Sequence, residues 1–321
     1  MITYIVRRIL QMIPVFFGVT VVLFVLTVVV PGDPIAIRAG ERSLSPEVYN
    51  AIKKEYGLDQ PLYKQYLTYL NSLLHGDLGE SYQQGRSVVA LYKDFYPNTV
   101  KLALAALFVE VVIGLTAGII SAVKKYSFTD VLVTLSTSIL VAVPVFWLGM
   151  MLQQVFAIQF KNWGLPYLPV SGMSSDQFPT WMHYILPAIT LASVSTAYAA
   201  RIMRSQLLEV LGQDYIRTAI AKGFAPGTVL RRHALKNALI PVVTFFGLDF
   251  GALMSGAILT ETIFNWPGVG YEIYLSIVRR DWPVVMGGVI LIVIVVMIIN
   301  LLVDISYAFL DPRIRYGSTS K

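Results

Sequence analysis

Apolar residues in this chain gather into six long runs: Ile9–Val30, Leu102–Val123, Val131–Phe160, Tyr184–Ala200, Asn237–Thr260 and Trp282–Val303. A helix needs roughly 20 such residues to cross a hydrocarbon core, with about 17 as the lower bound, so each run predicts a membrane span. Only Glu110 and Asp249 interrupt them with charge. The third run exceeds one span and contains Pro144, which predicts a tilt, a kink or early surfacing. Val-Val-Val-Pro-Gly closes the first run and is not a small-x-small cleavage site, so the first span is expected to remain uncleaved.

Polar residues between the runs set the orientation. With the N-terminus inside, the short inner segments carry Arg7, Arg8, Lys124, Lys125, seven Lys/Arg in Arg201–Lys236, Arg313, Arg315 and Lys321. The short outer loops carry only Lys161, Arg279 and Arg280. Lys and Arg beside spans resist translocation, so fourteen against three places both termini in the cytoplasm. Residues 1–30 are then the cytoplasmic N-terminus and first span, 31–98 an external insertion, 99–310 the remaining spans and 311–321 a cytoplasmic tail.

Within the insertion, Ser45-Pro46-Glu47 predicts a helix start and Gly57 its stop. Leu62–Leu74 predicts an amphipathic helix with Leu62, Tyr66, Tyr69, Leu70 and Leu73 near one face. Eight acids against seven bases give 31–98 no nucleic-acid signature, and either a packed cap or a docking site fits it. In Glu261–Pro283, Asn265-Trp266-Pro267-Gly268 predicts a turn, and Tyr271–Val278 an interfacial or re-entrant segment.

The segment Arg201–Pro241 is more ordered than a charge anchor requires. Helix formers run through Ala221, Gly223 can supply a left-handed cap, and Pro226 suits the first position of another helix. Such a helix–turn–helix on the cytoplasmic face makes a docking surface.

Composition narrows the chemistry. The chain is 56% hydrophobic and 14% charged, far from the quarter charged residues typical of soluble domains. It has no cysteine, which excludes disulfides, thiol catalysis and Cys-ligated metal. His75, His183 and His233 form no close-spaced pair. No phosphate loop, H-E-x-x-H, G-x-S-x-G or dinucleotide fingerprint is present, so no ATP hydrolysis and no bound cofactor or metal are expected of the chain itself.

Two ordered stretches carry a resemblance: Asp214-Tyr215-Ile216-Arg217-Thr218-Ala219-Ile220-Ala221-Lys222-Gly223 and His233-Ala234-Leu235-Lys236-Asn237-Ala238-Leu239-Ile240-Pro241. They are similar to the coupling loop of ATP-binding-cassette importer permeases, and more narrowly to the dipeptide/oligopeptide/nickel permease family. Arg217-Thr218-Ala219 stands where the general pattern has Glu-Ala-Ala. The resemblance extends to Arg7-Arg8, Pro31-Gly32-Asp33-Pro34, Gly57-Leu58-Asp59-Gln60-Pro61, Gly76-Asp77-Leu78-Gly79, Gly256–Phe264 and Asp311-Pro312-Arg313-Ile314-Arg315. It comes nearest the first of the two paired permease subunits of dipeptide importers.

The resemblance implies an all-α, six-span permease of the type I importer kind in a prokaryotic cytoplasmic membrane. It has a coupling helix between the fourth and fifth spans. The implied partners are a second permease, two ATPase subunits that hold ATP and Mg, and an external substrate-binding protein. Asp214, Tyr215, Arg217, Thr218, Ala219, Lys222, Gly223, Phe224 and Pro226 are the expected coupling residues. Ala219 and Gly223 are expected to let another surface approach. A self-powered transporter would instead need paired intramembrane charges or broken helices related by a repeat.

Glu110 and Asp249 must face protein or water, since a charge at the bilayer centre costs about 2.5–3.5 kcal/mol. Both are candidates for the translocation path, and both also fit hydrogen bonds to neighbouring helices. Gly247, Gly251 and Ala252 beside Asp249 would let backbone or substrate come close.

Overall fold

A computed structural model of the chain describes residues 2–29, 35, 45–55 and 57–310. The expectations for Pro31–Pro34 and for the tail from Asp311 lie outside these residues. Among the described residues the regular elements are helices, and Glu80 and Ser87 form one antiparallel bridge.

The helices are α1 (Ile2–Val29), α2 (Pro46–Glu55), α3 (Leu62–Leu74), α4 (Val88–Val123), α5 (Phe128–Ala142) and α6 (Val145–Asn162). They continue as α7 (Met182–Leu211), α8 (Asp214–Ala221), α9 (Leu235–Ile263), α10 (Val269–Val278) and α11 (Trp282–Leu310). Among the described residues, five helices are long and apolar enough to cross a membrane, and α5 with α6 makes a sixth span if counted together.

Helices α5 and α6 meet at 107°. The cause is local: Pro144 has no N–H to continue the ladder, and it pushes Val143 into the extended region at φ −84°, ψ 129°. The third apolar run is therefore bent.

Helix α7 joins the fourth span to the first eleven residues of the basic segment without a break, and the helix expected to run through Ala221 is interrupted at Gly212 and Gln213. Arg201 and Arg204 sit among Ile202, Met203, Leu207 and Leu208, which keep the core-facing spacing going until Gly212.

The chain divides into two compact units. The N-terminal unit comprises Ile2–Thr99 and Pro267–Met297; the central unit comprises Val100–Trp266 and the described part of Ile298–Lys321.

Buried polar groups bind the N-terminal unit together. Asp281, 2% exposed, accepts from Ser81 Oγ, Tyr82 N–H at 3.0 Å and Gln83 N–H at 3.2 Å. Tyr92 donates to the Val284 carbonyl at 2.7 Å, and Val269 N–H donates to Thr99 Oγ1 at 2.8 Å. A Cβ at Gly288 would fall on Tyr92 Oη, so that glycine sets how closely α4 and α11 approach. Helix α3 docks on α1 through Tyr66 and Tyr69 against Phe24, with Tyr66 Oη 3.0 Å from Thr20 Oγ1. Leu62, expected on the same face, is exposed at the helix start, while Leu73 is buried.

The central unit is built around α7. Ala199, Met203 and Leu207 share a core with Ala122 of α4, Ile216 and Ala219 of α8, and Ala238, Val242 and Phe246 of α9. Gly114 and Gly118 of α4 lie directly against Ala199, Ala200 and Met203, where a Cβ would collide.

Candidate coupling segment and interior carboxyls

Local punctuation shapes the segment after α7. Gly212 and the extended Gln213 stop one helix and start α8. Residues Ile216 and Ala219 turn inward, three apart on one helix face, while Asp214, Tyr215, Arg217, Thr218 and Ile220 are exposed. Gly223 has φ +80°, and backbone bonds Gly223 N–H to Ile220 O (2.9 Å) and Phe224 N–H to Ala219 O (3.4 Å) close the helix end. Nothing lies within 4 Å of a Cβ built there, so the requirement for glycine comes from the backbone rather than from crowding. After the extended Ala225, Pro226 opens the next helical turn, and a π-helical stretch Val229–Ala234 leads into α9.

The segment also fastens to itself. Asn237 Nδ2 donates to Tyr215 Oη at 2.9 Å, and the Phe224 and His233 rings lie 5.6 Å apart. The Asp214–Arg217 ion pair is long, at 3.4 Å, with side chains 95% and 75% exposed. Lys222, Gly223, Phe224 and Pro226 are exposed as well. Nine expected residues thus fall on one compact helix–turn. Eight face solvent, and Ala219 alone is buried, so its small side chain serves packing within the chain rather than approach by another surface.

The interior carboxyls come together. Glu110 is fully buried at the start of a π-helical turn, Glu110–Gly114, that interrupts α4. Asp249 of α9 and Ser195 of α7 lie near it, and both Glu110 carboxyl oxygens and Asp249 Oδ2 are buried without a hydrogen-bond partner. The expected open space at Gly247 and Gly251 is taken by Val303 and Ile299 of α11. Among the described residues no group of three or more acidic or histidine side chains could hold a metal ion.

Sequence reasoning missed Asp130, Arg204 and Arg201, which join α5 to α7. Both arginines had been counted only as loop charge, and Asp130 lies 74 residues from Arg204. The Ser127–Asp130 helix start was a usable local signal for Asp130, but nothing local named its partner.

Comparison with known proteins agrees with this arrangement. Residues 114–316 match the family described as binding-protein-dependent transport system inner membrane component, and residues 1–103 match its N-terminal region. The di/tripeptide transport system permease protein of Pseudomonas aeruginosa is 41% identical, covering 98% of this chain and 99% of that protein. The dipeptide transport system permease protein of Escherichia coli is 40% identical over 98% and 99%. The glutathione transport system permease protein of Escherichia coli is 39% identical over 98% and 100%. Among solved structures, an inward-facing methionine ABC transporter gives a TM-score of 0.56 at 18% identity, covering 70% of this chain and 97% of that one. The chain therefore belongs to the inner membrane components of binding-protein-dependent transport systems, with the type I importer permease fold.

Proposed function

We propose that this chain is one permease subunit of an ATP-driven importer of di- or oligopeptides. Near-full-length identity of 41% and 40% to two peptide permeases carries the reading. In it, a second permease completes the pathway, two cytoplasmic ATPase subunits bind ATP and Mg, and an external binding protein delivers substrate. Both termini and 201–236 are cytoplasmic, and 31–98 is external. The exposed face of Asp214–Pro226 receives the ATPase subunits. ATP-driven movement of that face switches the pathway between inward- and outward-facing states.

Glu110 and Asp249 border the pathway in this reading. If Asp249 meets a peptide amino group, Asp249→Asn lowers uptake in a normally assembled complex; if it only holds α4 to α9, complex yield falls first. Normal yield with normal uptake rejects both roles.

The test of the whole reading is uptake of a radiolabelled dipeptide by proteoliposomes holding the complete complex and its binding protein. ATP-dependent accumulation is expected, and the isolated chain should hydrolyse no ATP. The 39% identity to a glutathione permease favours glutathione as the second substrate to try. A complex that moves nickel chelate or haem but no peptide overturns the peptide assignment.

A further inference from the structure

Helix α5 is held in an unusual way. Most of its apolar residues face outward, with Val131, Leu132, Leu135 and Ile139 all more than half exposed. Its buried residues are Asp130 and Thr137, and each is gripped by an arginine of α7. Arg204 holds Asp130 with two arms: Nε donates to Oδ1 at 2.7 Å and Nη2 to Oδ2 at 2.8 Å. Ser121 Oγ, near the end of α4, donates to Oδ1, and Tyr126 N–H in the α4–α5 turn donates to Oδ2 at 2.9 Å. One carboxylate thus joins α4, the turn, α5 and α7. About a turn earlier on α7, Arg201 donates to Thr137 Oγ1 at 3.3 Å and to Ser138 Oγ at 3.1 Å.

The same end of α7 carries α8. Ile216 and Ala219 share a core with Met203 and Leu207 of α7 and Ala122 of α4. Met203 adjoins Arg204 in sequence, and Ala122 adjoins Ser121. A push on α8 therefore enters the core beside the clamp. Apolar contacts pass the push to α7 and α4, but α5 buries little apolar surface through which to follow. A two-armed guanidinium–carboxylate pair fixes both distance and angle, which sliding apolar contacts do not.

We propose that Arg204 and Asp130 are positioning residues that carry movement of α8 to α5, and through it to the bent α5–α6 segment, with Arg201 as the second hold. This rests on the reading of Asp214–Pro226 as the ATPase-docking face.

The chain has no native cysteine, so once cysteines of the partner subunits are replaced, a single label at Leu135→Cys reports on α5 alone. The experiment uses the complete complex in proteoliposomes. It records dipeptide uptake, ATP hydrolysis and the label's response to ATP with vanadate. With Arg204→Gln, hydrolysis should continue while the label response disappears. Peptide moved per ATP should drop about tenfold, within the usual range of coupling between sites. Arg204→Lys, which keeps the charge but loses the two-armed grip, should fall between. An assembled Arg204→Gln complex with an unchanged ratio and label response overturns the proposal. An equal fall in uptake and hydrolysis, the behaviour of a plain brace, also overturns it. If Arg204→Gln does not assemble, Arg201→Gln removes the hold on the neutral hydroxyls and is judged by the same ratio. A wild-type label that ignores ATP sinks the proposal outright. A wild-type complex whose label responds but which moves no peptide removes the substrate assignment and leaves the clamp standing.

Discussion

The α8 segment and the N-terminal unit handle polar groups in opposite ways. In α8, Asp214 is almost fully and Arg217 largely exposed, they meet across a long 3.4 Å contact, and Lys222 just after the helix is exposed too. In the N-terminal unit Asp281 is buried under three donors, Tyr92 is committed to a carbonyl, and Glu272 accepts from Gln84 at 3.0 Å. Exposed charge at a weak internal contact stays available to another molecule, whereas buried hydrogen-bonded groups specify one internal arrangement. The difference suits one region to reversible docking and the other to holding shape. It also predicts that substitutions in the N-terminal unit act on stability, and substitutions in α8 on association.

The sharpest break of that division comes at two glycines. Gly288→Ala puts a Cβ onto Tyr92 Oη and against Ile273, an overpacking that should cost about 1–3 kcal/mol and lower the melting temperature. Adding Tyr92→Phe should recover part of the loss, so the double variant should be more stable than the sum of the singles implies. Full additivity would mean that the two residues do not collide. Gly223→Val has free space around it but a left-handed backbone, which should cost the turn about 1–2 kcal/mol. The global melting temperature should fall by only about a few degrees, while ATPase association weakens about tenfold and uptake is lost. Unchanged uptake in Gly223→Val would remove the turn from the docking role.

These two glycines also mark what the sequence could disclose. Gly223, Pro226 and the end of α8 at Ala221 were readable because each acts within a turn of the chain, whereas the break at Gly212 and Gln213 that starts α8 was not read. The six apolar runs were readable because the bilayer demands a fixed length, and Pro144 because it breaks a helix locally. The fourth apolar span ends at Arg201 on hydrophobicity, and the sequence did not show that the helix formers beyond it continue that same helix and stop at Gly212. Gly288 gave no signal, since its reason is a tyrosine almost two hundred residues away. Asp281 with Ser81, and Asp130 with Arg204, are likewise products of tertiary folding that no local pattern encodes. Glu110 and Asp249 were flagged singly by the cost of charge in lipid, but their nearness depends on how α4 packs beside α9, which no local pattern encodes.

Titration of Glu272 tests the N-terminal unit by a smaller margin. Burial raises the Glu272 carboxyl above its ordinary range; Arg279 and the Gln84 donor oppose this, and Asp281 adds to it. A carboxyl raised on folding binds its proton more tightly in the folded chain. The stability it contributes is present below its unfolded pKa and is lost as pH rises through the folded one. Melting of the wild type should therefore fall relative to Glu272→Gln as pH climbs through and above the normal glutamate range. The amide keeps an acceptor for Gln84 and cannot ionise. Parallel melting curves across that window would place the ionised Glu272 in a better-solvated setting than its burial indicates.

The smallest expected effect falls on Asp214. Its carboxylate is 95% exposed and its partner is three residues away, so Asp214→Asn should change stability by less than about 0.5 kcal/mol. The folded chain should melt as before at any salt concentration, because little of the pair's attraction survives in water. Association with the ATPase subunits is where a difference should emerge. Removing a charge from the docking face should alter the salt dependence of complex formation even where the affinity at physiological salt changes only a few-fold. Asp214→Asn that melts early but binds the ATPases with unaltered salt dependence would invert the comparison. The exposed pair would then belong to the fold, and the docking contact would rest on the apolar groups Tyr215, Ile220 and Phe224 alone.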